Sequence, residues 1–281
     1  MSTDTIERRK AWNTIAIFLV IVTGLSAVFH YALVNLNPTS LYVGPLMWCP
    51  ALAAFATLAI RGRKLSSLPW RWGKWRFNLG AFAMPVLYVA IAYGLIWGLG
   101  LGGFPDPETL AEWAGETGLD VSTPVLIGVM VVLIGTIGCI RAASTIVGEE
   151  IGWRGFLVWE LRKVMPFGAV SIVSGLIWAA WHWPIVVFYG GGEAWLQMSA
   201  FTVMITGMSV IMTYFTFKSG SLWPAVCFHA AHNVYFDKLF NPLTIDTGQT
   251  SLWTGEYGLM MPAVTTALAV IFWRKAKAEG L

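Results

Sequence analysis

Three short patterns place polar side chains inside or at the end of long apolar runs. They are Glu149, Glu150 and Arg154 in the first run, His182 in the second, and His229 with Asn233 in the third. An ionisable side chain at membrane depth costs roughly 2.5 kcal/mol or more unless it is paired or faces water. These residues therefore indicate a buried polar site to which three separate segments contribute.

The spacing of the first pattern predicts different tasks for its two carboxylates. On a continuous helix, Glu150 and Arg154 share one face, with the acid N-terminal to the base, which favours an ion pair. Glu149 is rotated by about 100° from Glu150 and is left free to face a cavity. The alternative interpretation is an ion network that stabilises a helix end and has no part in catalysis.

The other two patterns also have a chemical and a structural interpretation. A carboxylate and an imidazole such as that of His182 can together hold and deprotonate a water molecule. His229 and Asn233 share a helical face, and donors on one face can stabilise the negative oxygen that forms when such a water attacks an amide carbonyl. In the structural interpretation His182 is a core residue, and His229 and Asn233 form hydrogen bonds between helices. His232 lies on another face and is expected to be structural.

Taken together, the three patterns indicate peptide-bond hydrolysis without a serine or cysteine nucleophile. The same residue types also permit a zinc site, with Glu149, His182 and His229 as ligands and a metal-bound water as nucleophile. The sequence contains no H-E-x-x-H motif. Cys49 and Cys139 lie in apolar runs, as does Cys227, and no C-x-x-C pair is present, so a disulfide framework or a cysteine metal site is not indicated. The residues alone leave hydrolysis with and without a metal open.

The composition predicts the environment that surrounds these residues. Hydrophobic residues make up 57% and charged residues 12% of the 281 residues, and the mean hydropathy is +0.65. This leaves too little polar surface for a water-soluble globule. We expect a single integral membrane domain over residues 1–281 that contacts lipid. No nucleic-acid motif is present, and the net charge of +3 is small.

Apolar runs predict an all-α polytopic bundle of about eight transmembrane helices. The predicted spans are 11–34, 41–60, 79–101, 125–140 with a continuation to the Glu149–Glu150 pair, 167–189, 195–217, 222–240 and 257–273. The loop at 61–76 is rich in Lys and Arg, whereas the loop at 106–120 is acidic and has neither. By the positive-inside rule, the basic loop and both termini are expected to be cytoplasmic.

The depth of the three patterns poses a problem for straight spans. Counting about 1.5 Å per residue places His229 near the middle of the bilayer, His182 farther out and Glu149 near the cytoplasmic face. We expect either a long or deeply set fourth helix, or a fifth helix that starts outside the bilayer, with a cytoplasm-open cavity among helices four, five and seven. Residues 153–165 are expected to form a helical turn-back at the cytoplasmic interface.

The ordered set of patterns resembles the CPBP family, which comprises the type II CAAX prenyl endopeptidases and their bacterial relatives. The matching pieces are Glu149-Glu150-x-x-x-Arg154, an aromatic-x-x-x-His that ends at His182, and His229-x-x-x-Asn233. The resemblance covers about residues 125–233, within an expected catalytic core at 125–240. One departure is Trp178, which stands where phenylalanine is usual and retains an aromatic side chain.

The resemblance implies a role for each motif residue. Glu149 and His182 would activate water, His229 and Asn233 would form the oxyanion site, and Glu150 and Arg154 would support them. It further implies an intramembrane endopeptidase, either glutamate-type or metal-dependent, in a membrane that we expect to be a bacterial plasma membrane. Of the two types we expect the one without a metal, with zinc as the open alternative. The substrate would be a membrane-associated protein or peptide, such as a prenylated CAAX-type protein or a bacteriocin-related peptide.

Two other functions are open at this point. A catalytically silent membrane protein of the same fold would bind a partner, as an immunity or regulatory protein does. The complete set of Glu149, His182, His229 and Asn233 favours the enzyme, since a silent relative has no need to keep all four. A transporter would carry inverted repeats with matching broken helices, a pattern that the sequence lacks.

Overall fold

The computed structural model describes residues 3–36, 40–190 and 192–281, and within these ranges the chain is helical with no β-strand. The α-helices are α1 Thr3–Asn35, α2 Ser40–Ile60, α3 Trp75–Gly98, α4 Pro107–Thr117, α5 Thr123–Leu133, α6 Cys139–Glu150, α7 Val158–Arg162, α8 Phe167–Tyr189, α9 Ala194–Ser219, α10 Trp223–Asn233 and α11 Met260–Ala278. The prediction of an all-α polytopic bundle is confirmed. Residues 1, 2, 37–39 and 191 of the predicted single domain lie outside the described residues.

Six helical segments of the described chain are long and apolar enough to cross a membrane. They are Thr5–Asn35, Leu41–Ile60, Trp75–Gly98, Thr123–Arg162, Phe167–Tyr189 and Ala194–Ser219. The predicted seventh and eighth spans are present as helices around α10 and α11, but they do not reach the same length and hydropathy. The predicted number of eight spans is therefore approximate.

The fourth span is a single helical run of 40 residues, Thr123–Arg162. The predicted turn-back at 153–165 is wrong, because the chain stays helical to Arg162 and reverses only around Pro166, which precedes α8. The apolar side chains of this stretch, Trp153 and Phe156 among them, are buried inside the bundle, where they pack against α1, α2 and α8. This stretch is therefore an interior part of the bundle and does not form a separate interfacial helix. The long fourth helix resolves the depth problem, since it continues well beyond Glu149.

Two glycines bring the segment that carries Glu149 and Glu150 close to α2. A Cβ atom at Gly148 would lie 2.7 Å from the carbonyl oxygen of Met47, and one at Gly152 would overlap Pro50. Only glycine permits such an approach between helix backbones, as is common in membrane bundles. The Glu149–Glu150 pair between the two glycines is therefore held inside the bundle, away from lipid.

Three π-helical segments interrupt the α-helices near the site. Ile134–Gly138 precedes α6, Ile151–Leu157 follows Glu150, and Val234–Phe240 follows Asn233. The wider π turn is rare and occurs mostly at functional sites. Each such segment changes the direction in which later side chains point, so the faces of these helices depart from a uniform 3.6-residue period.

The loop between Phe240 and α11 is fastened to the end of α3. Tyr93 donates to Asn241 Oδ1 at 2.9 Å, Trp97 donates to Thr244 Oγ1 at 3.0 Å, and Thr250 donates to the carbonyl of Leu101 at 2.9 Å. These contacts order residues 241–259 over one end of the bundle. The position of this loop matters because one of its acids, Glu256, reaches the candidate site.

Candidate active site

A cavity of about 170 Å³ lies among α2, α6, α8, α9 and α10, with one wall from the loop before α11. Its polar lining consists of Glu149, His182, His229, His232, Asn233 and Glu256. Its apolar lining comes from α2, α8 and α9 and includes Leu46, Met47, Ile185, Met204 and Met208. The four residues expected to do chemistry thus line one cavity. The fourth, fifth and seventh predicted spans contribute to it as expected, through α6, α8 and α10. The second and sixth spans also contribute, through α2 and α9.

Glu149 presents a carboxylate whose two oxygens have different surroundings. Its side chain is buried, with 2% of the residue exposed. Oε2 accepts a hydrogen bond from the indole nitrogen of Trp178 at 2.9 Å. Oε1 accepts no hydrogen bond from any described residue, so it remains available on a side chain that lines the cavity. A carboxylate held by one donor and open on the other side suits a general base.

The backbone contact of His182 fixes its tautomer. Nδ1 lies 2.9 Å from the carbonyl oxygen of Trp178, one turn earlier on α8. A carbonyl oxygen only accepts hydrogen bonds, so Nδ1 carries the proton and Nε2 keeps its lone pair in the neutral ring. The half-buried ring packs against Trp178, Trp181 and Phe201. His182 therefore offers the cavity a hydrogen-bond acceptor.

Glu150, Arg154 and His229 form a closed network behind the cavity wall. Oε1 of Glu150 accepts from the Arg154 guanidinium at 3.1 Å and lies 2.8 Å from Nδ1 of His229. The exposed fractions of the three residues are 0%, 1% and 5%. The expected Glu150–Arg154 pair is present, and the bond from Glu150 to His229 adds a link between α6 and α10 that the sequence did not indicate. This bond engages Nδ1 of His229 and leaves Nε2 for the cavity.

Trp178 connects the network to the cavity. Its indole N–H donates to Glu149, and the Arg154 guanidinium stacks over its ring with 4.0 Å between the central carbon and the ring centroid. Its ring also contacts that of His229 edge to face, with centroids 5.1 Å apart. From the sequence, Trp178 was only an aromatic substitute for phenylalanine. A phenylalanine has no N–H, so the hydrogen bond to Glu149 is specific to tryptophan.

Asn233 and His232 differ in how they are held. Asn233 is half-buried, lines the cavity, and has no hydrogen bond to another described side chain. Nδ1 of His232 lies 2.6 Å from the hydroxyl of Tyr88, and its ring stacks on Phe236 at an angle of 4°. Asn233 thus keeps its amide for a ligand, whereas His232 is fixed between helices, although it also lines the cavity.

Glu256 is a cavity residue that sequence reasoning missed. A lone glutamate in a polar loop between two apolar runs is typical of a solvated surface, and no pattern around it indicates otherwise. Burial raises the pKa of the Glu256 carboxyl to about 7, and the charges of Asp237 and Glu149 act in the same direction, while His229 opposes them. The carboxyl therefore lies close enough to the catalytic side chains to respond to their charges.

The three alternative metal ligands do not form a ready-made zinc site. Within residues 3–36, 40–190 and 192–281, no three His, Cys, Asp or Glu side chains cluster closely enough to hold a metal ion. Nδ1 of His229 is engaged by Glu150, and Nδ1 of His182 faces a backbone carbonyl. These contacts leave Nε2 of both rings open, as in metal-bound histidines whose other nitrogen is held by a carboxylate or a carbonyl, so metal independence stays a prediction.

Comparison with known proteins agrees with the geometry of this cavity. Residues 122–235 match the family model of Rce1-like type II CAAX prenyl endopeptidases. This segment is similar to that family. The resemblance indicated by the sequence is thereby confirmed, and the matched segment contains Glu149, His182, His229 and Asn233. Glu256 lies outside it.

A curated relative extends the same similarity. The chain is 27% identical over 135 residues to a protein named CAAX prenyl protease 2 from Methanococcus maripaludis. This match covers 45% of the chain and 48% of the relative, so the chain spans about half the length of the curated relative that it matches. The Rce1-like segment and the apolar helices together identify the chain as an integral membrane protein.

Proposed function

We propose that this protein is an intramembrane endopeptidase that hydrolyses a peptide bond in a membrane-associated protein or peptide. The observation that supports this most directly is the shared lining of one cavity by Glu149, His182, His229 and Asn233. All four belong to the Rce1-like segment. Each supplies a group that amide hydrolysis needs: a base, an acceptor that orients water, and two donors for a developing oxyanion.

In the proposed reaction, a water molecule occupies the space between Glu149 and His182. Nε2 of His182 accepts one hydrogen bond from the water and orients it, and the Glu149 carboxylate removes a proton as the water oxygen attacks the scissile carbonyl. The C–O bond forms while the carbonyl π bond opens onto its oxygen. Glu149 then passes the proton to the amide nitrogen, the C–N bond breaks, and the products are a carboxylic acid and an amine.

The negative oxygen of the tetrahedral intermediate requires preorganised donors. The side-chain amide of Asn233 has no other described side-chain partner and can donate through its NH₂ group. His229, held at Nδ1 by Glu150, donates from Nε2 when the ring is protonated. Arg154 keeps Glu150 itself from being an unpaired buried charge.

The cavity walls favour a substrate with apolar side chains beside the scissile bond. Leu46, Met47, Ile185, Met204 and Met208 present aliphatic or thioether groups, and methionine adapts to ligands of different shape. A prenylated CAAX-type protein is one substrate of this description, in line with the name of the curated relative. The bacterial plasma membrane and the cytoplasmic side of both termini remain part of this proposal.

The test is cleavage of lipidated and unlipidated peptides by the purified protein in liposomes, with products identified by mass spectrometry. We expect the wild type to release a C-terminal fragment, and Glu149→Ala and His182→Ala to release none. Equal cleavage by all three proteins would remove the proposed mechanism, and no cleavage by any of them would favour the catalytically silent alternative. Parallel reactions with chelator decide between the two catalytic types, since loss of activity that Zn²⁺ restores would establish the metal-dependent version.

A further inference from the structure

Glu256 is held at the tip of a tight turn that faces the cavity. The turn Gly255–Gly258 is closed by the amide of Gly258 donating to the carbonyl of Gly255 at 3.3 Å. Gly255 has a φ of 78°, a conformation that glycine adopts without strain. The flanking amides of Leu259 and Met260 donate to the carbonyls of Leu252 and Trp253 at 2.9 and 3.3 Å. The backbone at Glu256 is therefore fixed, and its carboxyl is presented to the cavity wall.

No side chain of the described chain neutralises the Glu256 carboxyl. The other glutamates of the interior are all engaged: Glu150 by Arg154 and His229, Glu149 by Trp178, and Glu160 by Arg63 and Lys163. Glu256 has neither a hydrogen bond nor an ion pair with any residue of the ranges 3–36, 40–190 and 192–281. A carboxyl that a rigid turn directs into a cavity without a partner is suited to binding a ligand group.

The charges around the cavity indicate which kind of group this is. Glu149, Glu150 and Glu256 supply three negative charges when ionised, whereas the facing cations are Arg154 and, when protonated, His229. Both cations contact Glu150, so Glu149 and Glu256, when ionised, face the cavity without a cation of their own. A buried charge is costly unless it is paired, and a positive group on the substrate would offset it.

We propose that Glu256 is a substrate-binding residue whose carboxylate pairs with a positively charged side chain of the peptide close to the scissile bond. This inference rests on the proposed endopeptidase function and goes beyond it, because it assigns a substrate preference to a residue outside the Rce1-like segment. The raised pKa of Glu256, about 7, agrees with a carboxyl that is ionised only in part until a cation approaches. Related proteins with a different loop before the last helix would not share the preference.

The experiment uses the full-length protein in liposomes and a series of fluorogenic peptides. The peptides come in pairs, one pair for each of the three positions on either side of the cleaved bond. One peptide of a pair has lysine at that position, and the other has norleucine, whose side chain is linear and uncharged. For the wild type we expect lysine at one position to raise kcat/KM by about tenfold, as a partly buried ion pair would. In Glu256→Gln the ratio should fall to about one, and Glu256→Lys should prefer glutamate at that position.

Asp120→Asn is the matched control, because Asp120 is an exposed loop acid that does not line the cavity and does not act on the Glu256 carboxyl. It should keep the lysine preference of the wild type. A preference that persists in Glu256→Gln, or the absence of any lysine preference in the wild type, would overturn the inference. If the wild type shows no lysine preference, and Glu256→Gln is active whereas Glu256→Ala is not, Glu256 acts as a neutral hydrogen-bonding group and not as a partner for a cation.

Binding of the same peptide pairs separates this inference from the proposed function. Tighter binding of the lysine peptide to wild type than to Glu256→Gln, without any cleavage, would support the binding role and refute the endopeptidase. Equal binding of both peptides to wild type, together with cleavage, would refute the binding role and leave the endopeptidase standing. Thermal unfolding is measured for each variant, so that a loss of binding or cleavage is interpreted only for variants that are folded.

Discussion

The two adjacent glutamates of α6 have opposite surroundings. Glu150 contacts Arg154 on its own helix and His229 on α10, so its charge is used within the protein. Glu149 has one donor, Trp178, and lines the cavity. One residue step along a helix thus separates a carboxylate that joins helices from a carboxylate that is open to a ligand. From this difference we expect Glu150 to serve the structure of the bundle and Glu149 to serve the chemistry.

The same division extends to the histidines. His229 and His232 each have Nδ1 bound to a side chain, Glu150 and Tyr88 respectively. His182 bonds only to a backbone carbonyl and keeps Nε2 as an acceptor. We therefore expect substitutions on the open side, at His182 and Asn233, to affect turnover more than stability. Substitutions at Glu150 and Arg154, which belong to the network but do not line the cavity, should show the reverse.

The largest effect on turnover is expected for His182→Phe, which keeps an aromatic ring and removes the acceptor for water. We expect kcat to fall by about 10³-fold, while the midpoint of thermal unfolding changes little. His30→Phe is the control, because His30 is also a half-buried histidine but does not line the cavity. A His182→Phe variant with more than a tenth of wild-type kcat would place His182 among the structural histidines.

The closed network is tested by Arg154→Met, which leaves the buried Glu150 carboxylate with His229 alone. Removing one partner of a buried pair is strongly destabilising, and we expect a loss of about 3 kcal/mol in the free energy of unfolding. Arg71→Met, at an exposed loop arginine, should be neutral. If both variants unfold alike, the Glu150–Arg154–His229 network does not carry stability, and the contrast with Glu149 fails.

Asn233→Ala removes a donor from the proposed oxyanion site. Loss of one such donor should lower kcat by about 10²-fold with little change in KM, because the interaction is made mainly in the transition state. Asn35→Ala, at an exposed asparagine of α1, should leave both constants unchanged. A rise in KM with kcat intact would assign Asn233 to substrate binding.

The smallest effect is expected for Trp178→Phe, which removes the indole N–H and keeps an aromatic surface for Arg154. A hydrogen bond to a charged group contributes about 1.5 kcal/mol, so kcat should fall about tenfold. Trp159→Phe is a suitable control, since the indole nitrogen of Trp159 has no hydrogen-bond partner in the described chain. Unchanged kcat in Trp178→Phe would show that Glu149 needs no orienting donor.

The sequence predicted the order of the long apolar helices, four of the polar residues that line the cavity and the need for a long fourth helix. Each of these follows from local patterns: apolar length, four-residue spacing and depth along a span. The contact of Glu150 with His229 did not follow, because pairing across helices depends on helix rotation. The π-helical segments Ile151–Leu157 and Val234–Phe240 alter that rotation directly after the motifs.

Trp178 and Glu256 show a second limit of the sequence. The hydrogen bond from Trp178 to Glu149 depends on the distance between α6 and α8, which Gly148 and Gly152 influence from the side of α2. Glu256 belongs to a loop whose path is determined by contacts with α3, far away in the chain. Residues placed by such distant contacts carry no local signal of their role.

The most direct measurement compares two isosteric variants, Glu149→Gln and Glu150→Gln, for single-turnover cleavage and for the free energy of unfolding in the same lipid. We predict that Glu149→Gln loses cleavage by about 10³-fold or more and unfolds like the wild type, whereas Glu150→Gln loses about 3 kcal/mol of stability. The opposite pattern, or cleavage by Glu149→Gln at the wild-type rate, would contradict the assignment of the chemistry to the open carboxylate.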